Sequence, residues 1–100
     1  LKSFANPEGG KIMFQLWVRQ FKNHHALQEI VISDDSSRTR TQKIFHALEE
    51  ACVAFDLGKP IWLDATVSDF KKYRKARFPQ DCFIESIDFD YLEIQILEED

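Results

Sequence analysis

The chain has 100 residues, of which 44% are hydrophobic, 30% charged and 13% aromatic, with a formal net charge of −4. That is the size of one domain with apolar material for a core, which excludes a disordered segment; three glycines and three prolines exclude collagen-like and linker classes. No apolar run approaches the roughly 20 residues of a membrane-crossing helix, so no membrane is expected among the partners.

Residues 1–12 lack periodicity and contain two breaker pairs, Asn6-Pro7 and Gly9-Gly10. Codons for Glu8-Gly9-Gly10 can spell a purine-rich, ribosome-binding run just ahead of Met13, the one methionine. The expectation is a leader or N-terminal arm over 1–12, not necessarily native, followed by a single domain over 13–100.

Residues 13–21 (MFQLWVRQF) are rich in aromatic and β-branched side chains and predict a strand. A second strand follows over 26–33, across a polar turn in which Asn23 can take a left-handed conformation; a hairpin is the economical arrangement. Asp34-Asp35-Ser36-Ser37 stops that strand and offers helix caps. From about 38 to 56, Ile44, Leu48, Cys52 and Phe55 recur at helical spacing, with Phe45 and Ala51 widening the apolar stripe. Gly58 and Pro60 are expected to end this helix.

The run Ile61-Trp62-Leu63 predicts a short buried strand. Thr66-Val67-Ser68-Asp69 fits a capping pattern for a shorter helix over about 67–75, which must end before Pro79. In the segment 80–90, Phe83, Ile84, Ile87 and Phe89 are expected to dock on the core. Residues 91–97 alternate as a half-buried strand. The predicted fold is α+β and two-layered, with a three- or four-stranded sheet and one long and one short helix packed on one face, in the order β-β-α-β-α-β.

The second half, from KPIWLDATVSDF through FIESIDFDYLEIQILEED, resembles a group of short, acidic, uncharacterised bacterial proteins. The likeness would cover about residues 13–100. It implies a bacterial cytoplasmic protein, and it carries over no activity and no functional residues.

Charge is unevenly placed. Residues 81–100 hold eight acids and no Lys or Arg, while residues 1–80 hold all 13 basic residues against nine acids. The densest basic cluster is Lys71, Lys72, Arg74, Lys75 and Arg77 around Tyr73, read as one basic helix that can grip nucleic-acid phosphate while the ring stacks on a base. Ser36, Ser37, Arg38, Thr39 and Arg40 at the start of the long helix form an anion-binding candidate, with plain helix capping as the alternative. Glu85, Asp88 and Asp90 are an acidic group able to attract a hard cation, though without a calcium-loop pattern. His24-His25 and His46 lack metal-ligand spacing, and Cys52 and Cys82 lack a CxxC pattern, so free thiols in a reducing cytoplasm are expected.

No nucleophile, base and orienter are suggested by spacing, so no catalytic residue, metal or cofactor is assigned. The aromatic and apolar surplus of so small a core singles out Trp17, Phe21, Trp62 and Tyr91 as interface residues. The expected function is that of a cytoplasmic binding module whose partner is another protein or a second copy of itself. Nucleic-acid binding through the basic cluster is the alternative, and a metal-dependent enzyme around the acidic segment comes third.

Overall fold

The computed structural model describes residues 13–99, so the leader expected over 1–12 lies outside the described residues. Two strands, β1 (Phe14–Lys22) and β2 (His25–Asp34), form an antiparallel hairpin around Asn23 and His24. Both turn residues have positive φ, 52° and 67°, which is the left-handed pair that a two-residue hairpin turn requires. Helix α1 (Arg40–Ala54) and helix α2 (Asp64–Tyr73) follow, then β3 (Lys75–Pro79), a single 3-10 turn (Gln80–Cys82) and β4 (Tyr91–Glu98). The sheet is fully antiparallel in the order β2-β1-β4-β3.

The α+β architecture holds, but the order of elements is β-β-α-α-β-β. Ile61-Trp62-Leu63 is not a strand. The Ile61 N–H donates one bond, 2.7 Å, to the Cys82 carbonyl, and Trp62 is used as a wedge instead. Its ring meets Phe45, Phe70 and Phe78 edge-on at 5.9, 5.5 and 5.0 Å. The strand not foreseen is β3, which starts at Lys75, where the short helix was expected to end, and takes in Arg77 of the cluster read as one basic helix. Arg74 adopts a left-handed conformation (φ 55°) and stops α2, and its carbonyl accepts from the Ile96 N–H, opening the ladder to β4. Pro79 then closes β3, an edge strand where a missing N–H is tolerated.

The caps also differ from expectation. Thr39 caps α1 in a reciprocal box with Gln42, ahead of which Ser36 and Asp34 form a turn. The left-handed residue after α1 is Asp56, not Gly58. Helix α2 starts at Leu63 without a side-chain cap; Asp64 in its first turn complements the helix dipole, and Thr66 is buried inside the helix beside the Cys82 sulfur.

Alternation in the strands sorts the side chains between two faces. Phe14, Leu16 and Val18 from β1, Ala76 and Phe78 from β3, and Leu92, Ile94 and Ile96 from β4 point to the helices. There they meet Ile44, Ala47, Leu48, Ala51 and Cys52 of α1 and Phe70 of α2; of the stripe predicted on the long helix, Ile44, Leu48, Ala51 and Cys52 are buried and Phe55 is partly so, whereas Phe45 is 53% exposed. Phe83 and Phe89 join this core at 5.9 Å, whereas Ile84, expected to dock, is 94% exposed. Cys52 and Cys82 are both free and buried. Burial, reinforced by the nearby Glu49 charge, pushes the Cys52 thiol up to about 11, so it behaves as a small hydrophobe and not as a nucleophile.

Candidate functional site

Both helices lie on the face that carries the core, and the opposite face of the sheet is left to the other half of each strand alternation. Its middle row is a register-matched line of charges. Glu29 of β2 lies opposite Arg19 of β1, Arg19 opposite Glu93 of β4, and Glu93 opposite Arg77 of β3. On one side runs the row Val31, Trp17, Gln95, Lys75, and on the other Phe21, Tyr91, Pro79, with Ala26 opposite Phe21.

These rows are bound together by their side chains. Glu93 is only 3% exposed although it is an acid on the sheet face away from both helices. Its carboxylate accepts from Arg19 Nη2 at 2.6 Å and from Arg77 Nε at 3.2 Å, so the cost of burying the charge is offset by two guanidinium partners. Arg19 in turn sits 3.8 Å from the Trp17 ring and 5.0 Å from the Phe21 ring, its i−2 and i+2 neighbours on the same strand face. Arg77 lies 4.6 Å from the Tyr91 ring, and Tyr91 stacks on Phe21 at 5.3 Å. The Trp17 indole N–H donates to Glu29 at 2.8 Å. The result is a tiled surface of flat rings and guanidinium planes, stiff because each side chain is held by a neighbour.

Three of the four interface residues singled out from sequence, Trp17, Phe21 and Tyr91, therefore meet on one surface. The fourth, Trp62, is on the opposite side of the molecule, partly buried between α1 and α2. It forms the floor of a groove of about 170 Å³ lined with Ile44, Phe45 and Phe70, with Arg40 and Lys71 at its rim. Arg19, Glu29 and Glu93 were not singled out from sequence. Period-two spacing places Arg19 and Glu93 on the same faces as the aromatic residues, but only the pairing register shows that they meet.

The basic cluster does not form one helix. Lys71, Lys72 and Tyr73 end α2, Arg74 is its left-handed cap, and Lys75 and Arg77 belong to β3. All six are exposed, Tyr73 at 60%, with Lys72 Nζ 5.3 Å from its ring. Arg74 is engaged by Glu99 at 3.1 Å and Arg77 by Glu93.

At the start of α1 the anion-binding candidates are engaged internally. The Asp34 carboxylate accepts from the Ser36 N–H at 2.8 Å and from Arg38 at 3.3 Å. Thr39 is committed to its capping box, and Arg40 to Glu99. Ser36, Ser37, Arg38, Arg40 and the buried Lys43 do line a cavity of about 320 Å³, but Glu99 lines it too. A carboxylate where an anion would sit favours capping.

The Ser36 hydroxyl and N–H and the Arg38 charge outweigh burial and hold the Asp34 carboxyl below its usual range. At Glu99, burial pushes upward, but hydrogen bonds and charge from Arg40 and Arg74 win and lower it. Both carboxyls thus bind protons less readily folded than unfolded. They stabilise the fold above the ordinary carboxyl pKa of about 4, and that contribution is lost as pH falls through the lowered values. Melting temperature should therefore drop on acidification below about pH 4, and the drop should be shallower in an Asp34→Asn, Glu99→Gln variant followed by circular dichroism.

The acidic group is likewise spread out: Glu85 accepts from the Gly58 N–H at 2.8 Å and Asp90 from the Asn23 N–H at 2.9 Å. Among the described residues no three His, Cys, Asp or Glu side chains cluster to hold a metal ion, and no helix is long and apolar enough to cross a membrane. The chain matches no protein-family model, no curated protein and no solved structure.

Proposed function

We propose that the protein is a small binding module that recognises another protein chain through the sheet face that neither helix covers. The observation that supports this reading is the gathering of Trp17, Phe21 and Tyr91 with Arg19 and Arg77 on one stiff surface that neither helix covers. Aromatic residues and arginines are the side chains that carry most binding energy at protein interfaces, and rings held in place lose little entropy when a partner docks. The near balance of Arg19, Arg77 and Lys75 against Glu29 and Glu93 fits a protein surface better than a polyanion. A cytoplasmic setting belongs to the same reading, supported by the two unpaired thiols.

A photo-crosslinking phenylalanine analogue placed at Gln95, in the middle of the face, tests this in cells. It should capture protein, whereas the same group at Glu50, exposed on α1, should not. Equal capture from both positions, or none from Gln95, would refute the reading.

The second reading, binding of single-stranded nucleic acid through the basic cluster, is favoured by the exposed Tyr73 ring beside Lys72. A fluorescent oligonucleotide titrated at rising salt discriminates the two. Affinity that survives moderate salt and falls in Tyr73→Ala would favour it, and loss of all binding at moderate salt would leave only generic attraction.

A further inference from the structure

We propose that the partner of the sheet face opposite the helices is a second copy of the same chain, docked face to face about a twofold axis running along the strands. This rests on the reading of that face as protein-binding and names what it binds. The warrant is the order of charges across the middle row: Glu29, Arg19, Glu93, Arg77, from the β2 edge to the β3 edge. The signs read minus, plus, minus, plus, and from the other edge they read plus, minus, plus, minus.

A twofold axis parallel to the strands, lying between two stacked faces, reverses the order of strands and keeps position along them. It lays the row on its own reverse, so every acid faces a base. The neighbouring row is brought into register by the same operation, with Phe21 over the partner's Tyr91. The other in-plane twofold, perpendicular to the strands, keeps strand order and sets Glu29 on the partner's Glu29 and Arg19 on the partner's Arg19. Electrostatics therefore selects one axis. Small departures from parallel alignment are accommodated, because twisted sheets that pack face to face cross at about 30°.

The contacts left for the partner are at the ends of the row. Arg19 and Glu93 already satisfy one another, and Glu93 is buried. Glu29 takes the Trp17 indole N–H but pairs with no cation among the described residues, and the Arg77 side chain is 60% exposed. The new ion pairs are Glu29 with the partner's Arg77, formed twice by symmetry, flanking a centre of stacked rings. An isologous interface of this kind is the commonest route to a closed dimer. Four strands about 4.8 Å apart present a face of only a few hundred Å² per copy, so association belongs at the weak end of the range.

Sedimentation equilibrium of the full chain from about 10 μM to 1 mM should show a reversible dimer. Glu29→Lys alone sets like charges against the partner's Arg77, and Arg77→Glu alone does the same against the partner's Glu29. Each should weaken self-association by about tenfold or more. An equimolar mixture of the two variants places Lys against Glu and Arg against Glu at the two ends, and should form a heterodimer at least as tight as the wild type. Glu29→Gln and Arg77→Gln, which introduce no repulsion, should weaken the dimer less than the reversals do, and matched melting curves identify variants that remain folded.

A wild-type dimer that both reversals weaken without rescue on mixing would overturn the proposed axis. A monomer throughout the range, with Gln95 crosslinking to a different protein, would overturn self-association and leave the face as a protein-binding surface. A monomer with no capture from Gln95 would remove both.

Discussion

Phe78→Ala is expected to lower the free energy of unfolding by about 3–5 kcal/mol, the range for truncating a buried aromatic side chain in a well-packed core. Phe78 is fully buried at the middle of the core-facing side of β3, opposite Leu92, and its ring receives the edge of Trp62 at 5.0 Å. Removing it opens a cavity between sheet and helices that cannot collapse easily, since the sheet is held by its ladder and Trp62 by Phe45 and Phe70. A domain of this size has only about 5–15 kcal/mol to lose, so the variant should stand near the threshold of folding. Urea denaturation followed by circular dichroism measures the change. Ile84→Ala, at a position 94% exposed, is the control and should shift stability by no more than about 0.5 kcal/mol.

Glu93→Ala should cost about 2 kcal/mol, and its cause is electrostatic. It strips the shared carboxylate from Arg19, whose side chain is 21% exposed, and from Arg77. A fully buried pair broken on one side costs about 3–5 kcal/mol; the discount reflects the solvent available to Arg77, which is 60% exposed. Glu93→Gln keeps the acceptor oxygen and the shape, so it should cost less than Glu93→Ala. Because the carboxylate is covered by its partners, the difference between wild type and variant should change little between low and moderate salt, unlike that of a surface pair. Chemical denaturation at two ionic strengths reads both quantities. A Glu93→Ala variant as stable as wild type would mean that the two guanidinium contacts contribute nothing net.

Much of this architecture could be read from the chain because local pattern and tertiary environment agree there. Ile44, Leu48 and Cys52 keep helical spacing on a helix that buries that stripe, and Leu92, Ile94 and Ile96 alternate on a strand that buries one face. The errors fall where the two levels part. In β3 the outward positions are Lys75 and Arg77, so alternation was hidden within a basic run with the composition of a solvated helix. The signal against a helix was Pro79 alone, and the actual stop, Arg74 in a left-handed conformation, is a choice that side-chain chemistry does not announce. At Trp62 an apolar run of strand-like composition supplies one wedge to the gap between two helices. Of the candidate site, the aromatic residues were visible as a surplus over core needs, but their meeting depends on register. Glu93 opposite both Arg19 and Arg77 is a property of pairing across residues far apart in sequence, for which composition and spacing hold no signal.

The order β2-β1-β4-β3 places β1 and β4, far apart in sequence, side by side at the centre of the sheet, with contacts such as Gln15 against Glu98. The hairpin of β1 and β2 forms across a two-residue turn, on a microsecond scale, whereas β3 and β4 are joined by residues 80–90 and β4 must also return to β1. The rest of the sheet awaits β4, since β3 has no other neighbour in it. Until β4 joins, one edge of β1 stays unpaired, and the loop-closure entropy of bringing β4 back to β1 makes that step slow. Without β4 the paired sheet shrinks to the β1–β2 hairpin under α1, and β3 loses its one sheet neighbour, so a chain stopped at Asp90 should be a target for proteolysis, not a trimmed domain.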